Sequence, residues 1–593
     1  MTATPAPQAA GAGADAPASP RPAQDAQAPQ TPEAPAAERT PPETASEQES
    51  AEPPAEGAPP EGGAPAGGPP PFVPHPWYMV GLFVFASMLM GLSLSLAQGF
   101  LSANTRQIAG DLGIAQTQAT WLLVAYMIPR ASLTLLLFKL RAQYGLRPFA
   151  MVGITAYSIA MCLSFFVNDF HSAVAVQFLS GICGAPLGSL AFLYMLECLP
   201  PQKKLSFGLP MALTFIMVGM YLARVISPPL WDLGGWQAIK CFQFGLVLLA
   251  LPFIMKLPLA HAPRMKVIHT MDLVSYCLIA VGFGGILAAF AWATTDWWTS
   301  TTWLGWTLAV AGACLTVAVV IELNRKSPLM DIRWMLSPEI LHLTGVLLIF
   351  RIVLSEQSTG APYLFTSLGL GNWQIQPLFM VIVLAYLAAG LLLSVTLTIP
   401  RVPYIHILAL SLIMVGAWMD SHSTVQTRPE QMYLSQGMIA FAGAIFLPST
   451  MAKGLVLALA KGPAYLLSFI VIFLSTQSLG GIIGSGLFRT FIRVRTAFHN
   501  GVLKDGLMAG DTSVTAQITT MVKAYSTTIT DPLLRKAEAA AALASSANTQ
   551  ATVLAYNDAF LLTSMIAAAA LILLLGHLAV LKLQALRAEP VSA

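Results

Sequence analysis

The stretch Leu341–Phe365 reads LHLTGVLLIFRIVLSEQSTGAPYLF. It is apolar and long enough to cross a bilayer, yet it carries Arg351, Glu356 and Gln357. A charged residue at mid-bilayer depth costs about 2.5–3.5 kcal/mol on insertion scales. A chain retains such residues where they face a polar cavity inside a helical bundle. The stretch therefore predicts a transporter whose central pathway includes this segment.

The composition is that of a helical membrane protein. Of the 593 residues, 55% are hydrophobic and only 10% are charged, whereas soluble domains carry about 25% charged residues. Apolar runs of about 20 residues suit spanning helices rather than barrel strands. We therefore predict an all-α polytopic fold with fourteen transmembrane helices, whose approximate cores are 77–101, 119–138, 148–167, 172–198, 206–228, 236–256, 272–294, 302–322, 341–363, 376–399, 403–419, 432–457, 464–488 and 557–581.

Residues 1–75 differ from the rest of the chain. They are rich in Pro and Ala and carry ten acidic residues against two arginines. Such a segment cannot bury enough apolar surface to offset its chain entropy. We predict a disordered acidic tail, with a Pro-rich docking segment as the alternative interpretation.

The distribution of Lys and Arg predicts the orientation. With the N-terminus in the cytoplasm, the cytoplasmic loops and the C-terminus carry fifteen basic residues, whereas the short outside loops carry only Arg106 and Arg428. Seven more basic residues, from Arg489 to Lys536, fall in a long last outside segment, and long loops are translocated largely regardless of charge. Both termini are therefore predicted to be cytoplasmic.

The last outside segment, residues 491–555, contains two stretches with helical character, Ser513–Thr528 and Pro532–Leu554. Asp531 before Pro532 is a typical helix start. The sequence predicts a helical hairpin outside the membrane, and a sharper interpretation makes it a docking surface for a partner.

Catalytic and cofactor motifs are absent from the sequence. It contains no G-x-S-x-G, no H-E-x-x-H and no P-loop, and its six cysteines lack metal-ligand spacing. We expect neither an enzyme nor a direct ATP coupling, and we expect no cofactor, no metal and no nucleic-acid partner.

The intramembrane polar residues are the candidate functional residues. Arg130 and Arg351 lie near the middle of their spans, and Glu356 is the only acid that the sequence places deep in a span, which makes it the candidate for ion coupling. An alternative is that helix carbonyls and Gln side chains pair with Arg130 without any role in transport. Arg224 and Lys240 lie near the outer ends of their spans, where snorkelling to the interface is the simpler account.

Two further spans carry many small residues. They include Gly181 in span 4 and Gly480, Gly481 and Gly484 in span 13. Small residues allow close helix packing, and glycine also permits bending. Packing is the favoured interpretation.

Several short motifs carry a family resemblance. The loop Leu140–Arg147, with Gly145 and Arg147, is similar to G-x-L-A-D-R-x-G-R-R; Gln177–Gly181 to R-x-x-Q-G; and Gly480, Gly481 and Gly484 to a late G-G-x-x-G. Ala555–Phe560 is similar to the start of a last span. From about Met79 to Leu586 the chain resembles the fourteen-span drug:proton antiporter branch of the major facilitator superfamily, of the EmrB type.

The chain also departs from that family's pattern at charged positions. Gln98 stands where the family has an Asp in span 1, and Ala142 replaces the loop Asp. Gln177 replaces the span-4 Arg, and a segment containing Arg224 replaces G-P-x-x-G-G in span 5. The loss of usual carboxylates favours an alternative function, a non-transporting sensor or assembly scaffold.

The resemblance implies a major facilitator fold of two six-helix bundles plus two inserted spans. The implied parts are an N-terminal bundle (76–260), the inserted spans (261–335), a C-terminal bundle (336–490 and 556–585) and a periplasmic helical loop (491–555). It implies a multi-pass inner (plasma) membrane exporter of small amphipathic or weakly acidic compounds, driven by an ion gradient. Its implied partners are a small-molecule substrate, the lipid bilayer, a periplasmic adaptor and an outer-membrane channel.

These observations together define the expected site. The expected pathway residues are Arg130, Arg351, Glu356, Gln357 and Gln98, and the expected gating and packing residues are Gly145, Arg147, Gly181, Arg224, Gly480, Gly481 and Gly484. The sequence places two arginines and one acid deep in the spans, so a cavity that they share would carry a net positive charge. We therefore predict an anionic substrate.

Overall fold

The computed structural model describes residues 75–257, 259, 266–293, 295–325, 328–506 and 511–588. The predicted tail, apart from His75, lies outside these described residues. Within them the chain is helical and contains no strand.

The first half of the described chain holds nine helices. They are α1 (Trp77–Ala103), α2 (Thr105–Asp111), α3 (Gln116–Tyr144), α4 (Leu146–Leu163), α5 (Phe170–Glu197), α6 (Pro201–Lys203), α7 (Leu209–Lys256), α8 (Thr270–Trp292) and α9 (Thr302–Asn324). The second half continues with α10 (Ile332–Met335), α11 (Pro338–Val353), α12 (Ala361–Ser367), α13 (Asn372–Thr396), α14 (Val402–Asp420), α15 (Tyr433–Lys461), α16 (Pro463–Gly506), α17 (Thr512–Ala524) and α18 (Pro532–Ala588).

The predicted number of spans follows once a turn inside α7 is recognised. Thirteen helical segments of the described chain are long and apolar enough to cross a membrane, and one of them, Pro201–Lys256, is 56 residues long. Its helix is interrupted at Gly234 and Gly235, and Gly235 has a φ of +56°, which favours glycine. The segment therefore holds spans 5 and 6, which gives fourteen spans and confirms the predicted fold class.

The contacts between helices group the described chain into two halves. In the N-terminal half α1 packs along α7 and α3 along α5, and in the C-terminal half α14 packs on α15 and α18, and α16 on α18. The halves meet where α13 contacts α7 and α16 contacts α3. The inserted pair α8 and α9 packs together, and α8 also contacts α3 and α16.

Gly181 shows why span 4 needs a small residue. A Cβ at this position would lie 2.3 Å from the carbonyl oxygen of Tyr126 on α3. Any larger side chain would force α5 away from α3, so this glycine permits the close helix packing that the sequence predicts.

The loop between α3 and α4 is tight. Gly145 ends α3 with a φ of +86°, and Arg147 is exposed. Lys139, one of the fifteen basic residues that the sequence places in the cytoplasmic loops and the C-terminus, is only 4% exposed. Its Nζ lies 2.8 Å from Asp272 Oδ1 on α8, and Arg325 Nη2 at the end of α9 lies 2.6 Å from the same oxygen. This buried ion cluster ties the inserted pair to the N-terminal half.

The long outside segment differs from the predicted separate hairpin. Helix α16 has 44 residues and α18 has 57, or about 66 and 86 Å at 1.5 Å per residue, against a hydrocarbon core of about 30 Å. The predicted second helix begins at Pro532 but runs past Leu554 into the last span without a break. The extensions of spans 13 and 14 thus form most of this segment.

Polar contacts join the two extensions and cap the short helix α17 between them. Asp558 on α18 accepts from Arg495 Nε and contacts His499 Nε2 on α16, both at 2.6 Å. Asp511 caps α17 by accepting from the backbone N–H of Ser513 at 2.8 Å, and this hydrogen bonding lowers the pKa of the Asp511 carboxyl.

Candidate functional site

A cavity of about 170 Å³ lies between the two halves. Residues from α1, α3, α7, α8 and α16 line it, together with the broken span made by α11 and α12. Four arginines line it, Arg130, Arg224, Arg351 and Arg489, and its lining contains no Asp or Glu among the described residues. The cavity is therefore a site of concentrated positive charge.

Arg130 is held by neutral groups. Its Nη1 donates a hydrogen bond to Gln98 Oε1 on α1, and its guanidinium carbon lies 5.6 Å from the ring centroid of Tyr126. Gln98, the residue found where the related family has an acid, therefore orients Arg130 without neutralising it. An acid at this position would remove the positive charge that Arg130 offers to the cavity.

Arg351 reaches the cavity through a gap made by glycines. A Cβ on Gly480 would lie 3.1 Å from Arg351 Cγ, and one on Gly481 would lie 3.1 Å from Arg351 Nη2. The Nε of Arg351 donates to the carbonyl oxygen of Gln477 at 3.4 Å. Gly484 allows the backbone at Ile352 to approach, since its Cβ would lie 2.9 Å from that Cα. The small-residue motif of span 13 thus packs α16 around Arg351.

Two arginines lie elsewhere than the sequence suggests. Arg224 does not snorkel to the interface: it lines the cavity, and its guanidinium carbon lies 5.1 Å from the ring centroid of Phe379. Arg489, which the sequence assigns to the outside segment, also lines the cavity, because α16 continues without a break through this position. Both arginines lie at the edge of an apolar run in the sequence. That position does not predict that their side chains line the cavity.

Apolar side chains form another part of the wall. Met127, Met217, Met220 and Ile482 line the cavity, and so does Phe290 near the end of the inserted helix α8. Guanidinium groups beside methionine and aromatic side chains suit a ligand that has both a charged group and an apolar body.

The cavity continues towards the predicted outer face. A second cavity shares Ser102, Arg224 and Tyr363 with the first and extends past Gln107 and Asn372. Asn372 Nδ2 on α13 donates to Gln107 Oε1 on α2 at 3.1 Å, which joins the two halves at this end.

Glu356 and Gln357 lie apart from the arginine cavity. Both are buried, and the span between α11 and α12 forms a π-helical turn at Glu356–Gly360. Gln357 Nε2 donates to the backbone oxygen of Gln436 on α15 at 2.9 Å. The structure thus brings Gln98, Arg130 and Arg351 together but directs these two side chains to α15.

Glu356 is also not the only deeply buried acid. Asp420, the last residue of α14, is 2% exposed, and Gln436 Nε2 donates both to Asp420 Oδ2 at 2.7 Å and to Glu356 Oε1 at 3.1 Å. Sequence analysis missed Asp420 because it follows the apolar core 403–419 directly and is indistinguishable there from the start of a loop.

The fold and the cavity define a class, the polytopic helical proteins with a major facilitator fold. Residues 79–275 match the Major Facilitator Superfamily. Two solved structures share the fold: a bacterial homologue of the human drug peptide transporters PepT1 and PepT2 (TM-score 0.51, 14% identity, 85% of this chain and 99% of that one) and the peptide transporter POT in complex with sulfate (0.51, 13%, 85% and 97%).

Individual relatives are distant. The fatty acid resistance protein FarB of Neisseria gonorrhoeae is 27% identical over 230 residues, which are 38% of this chain and 44% of FarB. The uncharacterized MFS-type transporter YhcA of Bacillus subtilis is 21% identical over 72% of this chain and 79% of its own length. The multidrug export protein EmrB of Haemophilus influenzae is 22% identical over 42% of this chain and 49% of EmrB. The chain thus spans about half the length of two of these relatives, and the matches support the major facilitator superfamily.

Proposed function

We propose that the protein is a secondary active transporter that exports small amphipathic organic anions by alternating access between its two halves. The observation that carries this proposal is the cavity that, in the part of the chain that the structure describes, is lined by four arginines and by no carboxylate. Its position between the halves is where rocking-bundle transporters hold their substrate.

The charge of the cavity supports an anionic substrate. Arg130 and Arg351 have neutral partners, the Gln98 amide and the Gln477 carbonyl, and no carboxylate of the described chain lines the cavity to compensate their charges. Two opposite unit charges 4 Å apart attract by about 4 kcal/mol at an effective dielectric of 20. Guanidinium groups also offer a planar fork that fits a carboxylate or sulfonate. A lipophilic cation would meet repulsion of similar size.

The relatives' names agree with an amphipathic anion and with export. FarB is named for resistance to fatty acids, which are amphipathic carboxylic acids, and EmrB is named a multidrug exporter. The apolar wall formed by Met127, Met220 and Phe290 suits the apolar part of such a compound.

A flux assay tests the proposal. The purified protein in liposomes is expected to move p-aminohippurate, an aromatic carboxylate, faster than the lipophilic cation tetraphenylphosphonium. Arg130→Gln and Arg351→Gln are each expected to slow anion flux by roughly tenfold or more, which corresponds to about 1.4 kcal/mol per factor of ten. Arg428→Gln, at an exposed position between α14 and α15, is the matched control.

Two results would contradict this function. The anionic site is wrong if the cation is the better substrate of the wild type and both cavity variants leave its flux unchanged. Absence of flux for both probes, with the protein correctly folded, would instead favour the sensor or scaffold alternative.

We further propose that the extensions of α16 and α18 dock a periplasmic adaptor, through which export crosses the whole envelope. The length of the two helices beyond the bilayer supports this proposal. Val494, Phe498 and Val502 on the α16 extension are each about half exposed, at 49%, 54% and 55%. Large apolar side chains exposed along one helix are typical of a surface that a partner covers.

A further inference from the structure

A second polar site lies in the C-terminal half, separate from the arginine cavity. It consists of Glu356, Asp420 and Gln436, which are 0%, 2% and 0% exposed. None of the three lines the cavity. The function proposed above does not use this site, so its two buried acids need an explanation.

The hydrogen bonds assign different roles to the two acids. Asp420 accepts from Gln436 Nε2 through one oxygen and from Ser435 Oγ through the other, so both of its oxygens act as acceptors. Glu356 accepts from the same Gln436 nitrogen through Oε1, while its Oε2 is buried and has no donor among the described residues. The Oε1 atom of Gln436 likewise has no donor there.

The two carboxyl groups share one hydrogen-bond donor: Gln436 Nε2 lies 2.7 Å from Asp420 Oδ2 and 3.1 Å from Glu356 Oε1, so the two groups are close neighbours. Two adjacent buried carboxylates cannot both be ionised at little cost, and ionised carboxylates only accept hydrogen bonds, so a proton on one of the two is favoured. Glu356 is the group with an oxygen free to carry that proton, since both oxygens of Asp420 already accept from a donor. The geometry is that of a carboxyl pair that holds one proton.

The other charged and titratable groups around the pair have contacts of their own. His422 after α14 contacts the Trp418 carbonyl, Asp558 on α18 contacts Arg495 and His499 on α16, and Arg351 on α11 contacts the Gln477 carbonyl. Further titratable groups on elements packed against the site are Arg489 on α16, Tyr386 on α13 and Tyr556 on α18. The groups that act directly on the two carboxyls are Gln436 and Ser435, and both are uncharged.

The pair lies near the end of α14 at the predicted outer face. Asp420 ends α14, and His422, two residues later, is exposed. Asp420 therefore lies nearest the water and Glu356 lies deeper, an order that suits proton entry through Asp420.

The pair is also connected to the cavity through one continuous segment. Glu356 begins the π-helical turn Glu356–Gly360, and Ser358 and Thr359 of the same turn line the cavity. A single π turn inside a helix is frequent at functional sites. A change in the charge of Glu356 would act on a turn whose other side contacts the substrate.

We propose that Glu356 and Asp420 form the site at which this transporter carries its coupling proton, separate from the anion cavity and linked to it by the π-helical turn. The inference rests on the proposed transport function. One proton enters at the predicted outer face, forms an O–H bond on Glu356 beside Asp420, and leaves on the inner side as that O–H bond breaks. The anion moves in the opposite direction in the same cycle.

The proton site can be tested without any substrate. Infrared difference spectra of the purified wild-type protein, recorded across a pH titration, are expected to show one protonated buried carboxyl. Glu356→Gln should abolish that band, and Asp420→Asn should abolish or shift it. Glu339→Gln, an exposed acid at the start of the same span, is the matched control and should leave the band unchanged. A band that persists unshifted in both variants would overturn the proposal.

Transport provides the second measurement. In liposomes, a pH gradient should drive p-aminohippurate accumulation by the wild type and by Glu339→Gln. In Glu356→Gln the ratio of gradient-driven accumulation to substrate counterflow should fall at least tenfold, and an unchanged ratio would overturn the coupling role. If the wild type neither accumulates nor exchanges the anion, the proposed function fails, whereas the infrared result still decides whether the carboxyl pair holds a proton.

Discussion

The position of the Arg351 side chain depends on two glycines, which leave room for it beside α16. Its stem passes over Gly480 and its guanidinium lies against Gly481. Larger residues there would occupy the volume that the side chain needs to reach the cavity. Gly480 and Gly481 thus serve to position the Arg351 guanidinium more than to let α16 bend.

This position gives a residue-scale prediction. Gly481→Val should weaken the apparent affinity for p-aminohippurate by roughly tenfold, because crowding at a packed contact costs about 1–3 kcal/mol. Gly345→Val on the same span as Arg351 is the control, since a Cβ at Gly345 meets nothing within 4 Å. Measured KM values would decide: an unchanged KM in Gly481→Val, beside a raised KM in Arg351→Gln, would show that the glycine does not position the arginine.

The site was only partly predictable from sequence, for a physical reason. Arg130 and Arg351 stand in the middle of apolar runs, where the energetic cost of a charge makes them conspicuous. Arg489 and Asp420 stand at the edges of such runs, where composition alone cannot distinguish a buried end from a loop. The link between Glu356 and Asp420 depends on Gln436, 80 residues away from Glu356 in the chain, and no local pattern reveals such a contact.

At the scale of elements, the inserted helices α8 and α9 are part of the working structure. Phe290 of α8 forms part of the cavity wall, and a Cβ on Gly486 of α16 would lie 2.6 Å from the Phe290 carbonyl oxygen. At its other end α8 enters the ion cluster through Asp272. Helices α8 and α9 are therefore fixed both to the cavity and to the predicted cytoplasmic end of α3.

Asp272 is the residue on which that attachment depends. It is 0% exposed and contacts Lys139 and Arg325. Asp272→Asn should lower the free energy of unfolding by about 3–5 kcal/mol, the usual cost of leaving buried charges without their partner. Thermal unfolding in detergent measures this, with the exposed Glu430→Gln as control; equal melting temperatures for the two variants would show that the cluster contributes little to stability.

The fold itself was more accessible to sequence analysis than its boundaries. Fourteen apolar runs predict fourteen spans because each run must cover the hydrocarbon core. Hydropathy does not predict where a helix ends beyond the membrane surface, because hydropathy falls there although the backbone continues as helix. For that reason the continuous extensions of α16 and α18 look in the sequence like a separate loop with two short helices.

At the scale of the whole molecule, the described chain combines a cavity lined by four arginines, a buried carboxyl pair and a long protrusion formed by the extensions of α16 and α18. In the function proposed above, the cavity and the carboxyl pair suffice for transport across one membrane. The protrusion, held together by Asp558 with Arg495 and His499, adds nothing to either site. We therefore expect the protrusion to be needed only when the exported compound must cross a second membrane.

The last prediction follows from that separation. Replacing residues 510–545 by a short Gly/Ser linker removes α17 and the first turns of α18 but leaves Asp558 and the cavity intact. Flux of p-aminohippurate in liposomes should remain within about twofold of wild type, whereas cells that depend on the protein should lose export across the envelope. As a control, substituting only Asn548 by Ala removes the exposed hydrogen bond between Asn548 and Asn500 while keeping the protrusion, and this variant should retain export. Equal loss of flux in liposomes and of export in cells would mean that the protrusion is needed to fold the transporter. Full export by the linker variant would contradict a role in partner docking.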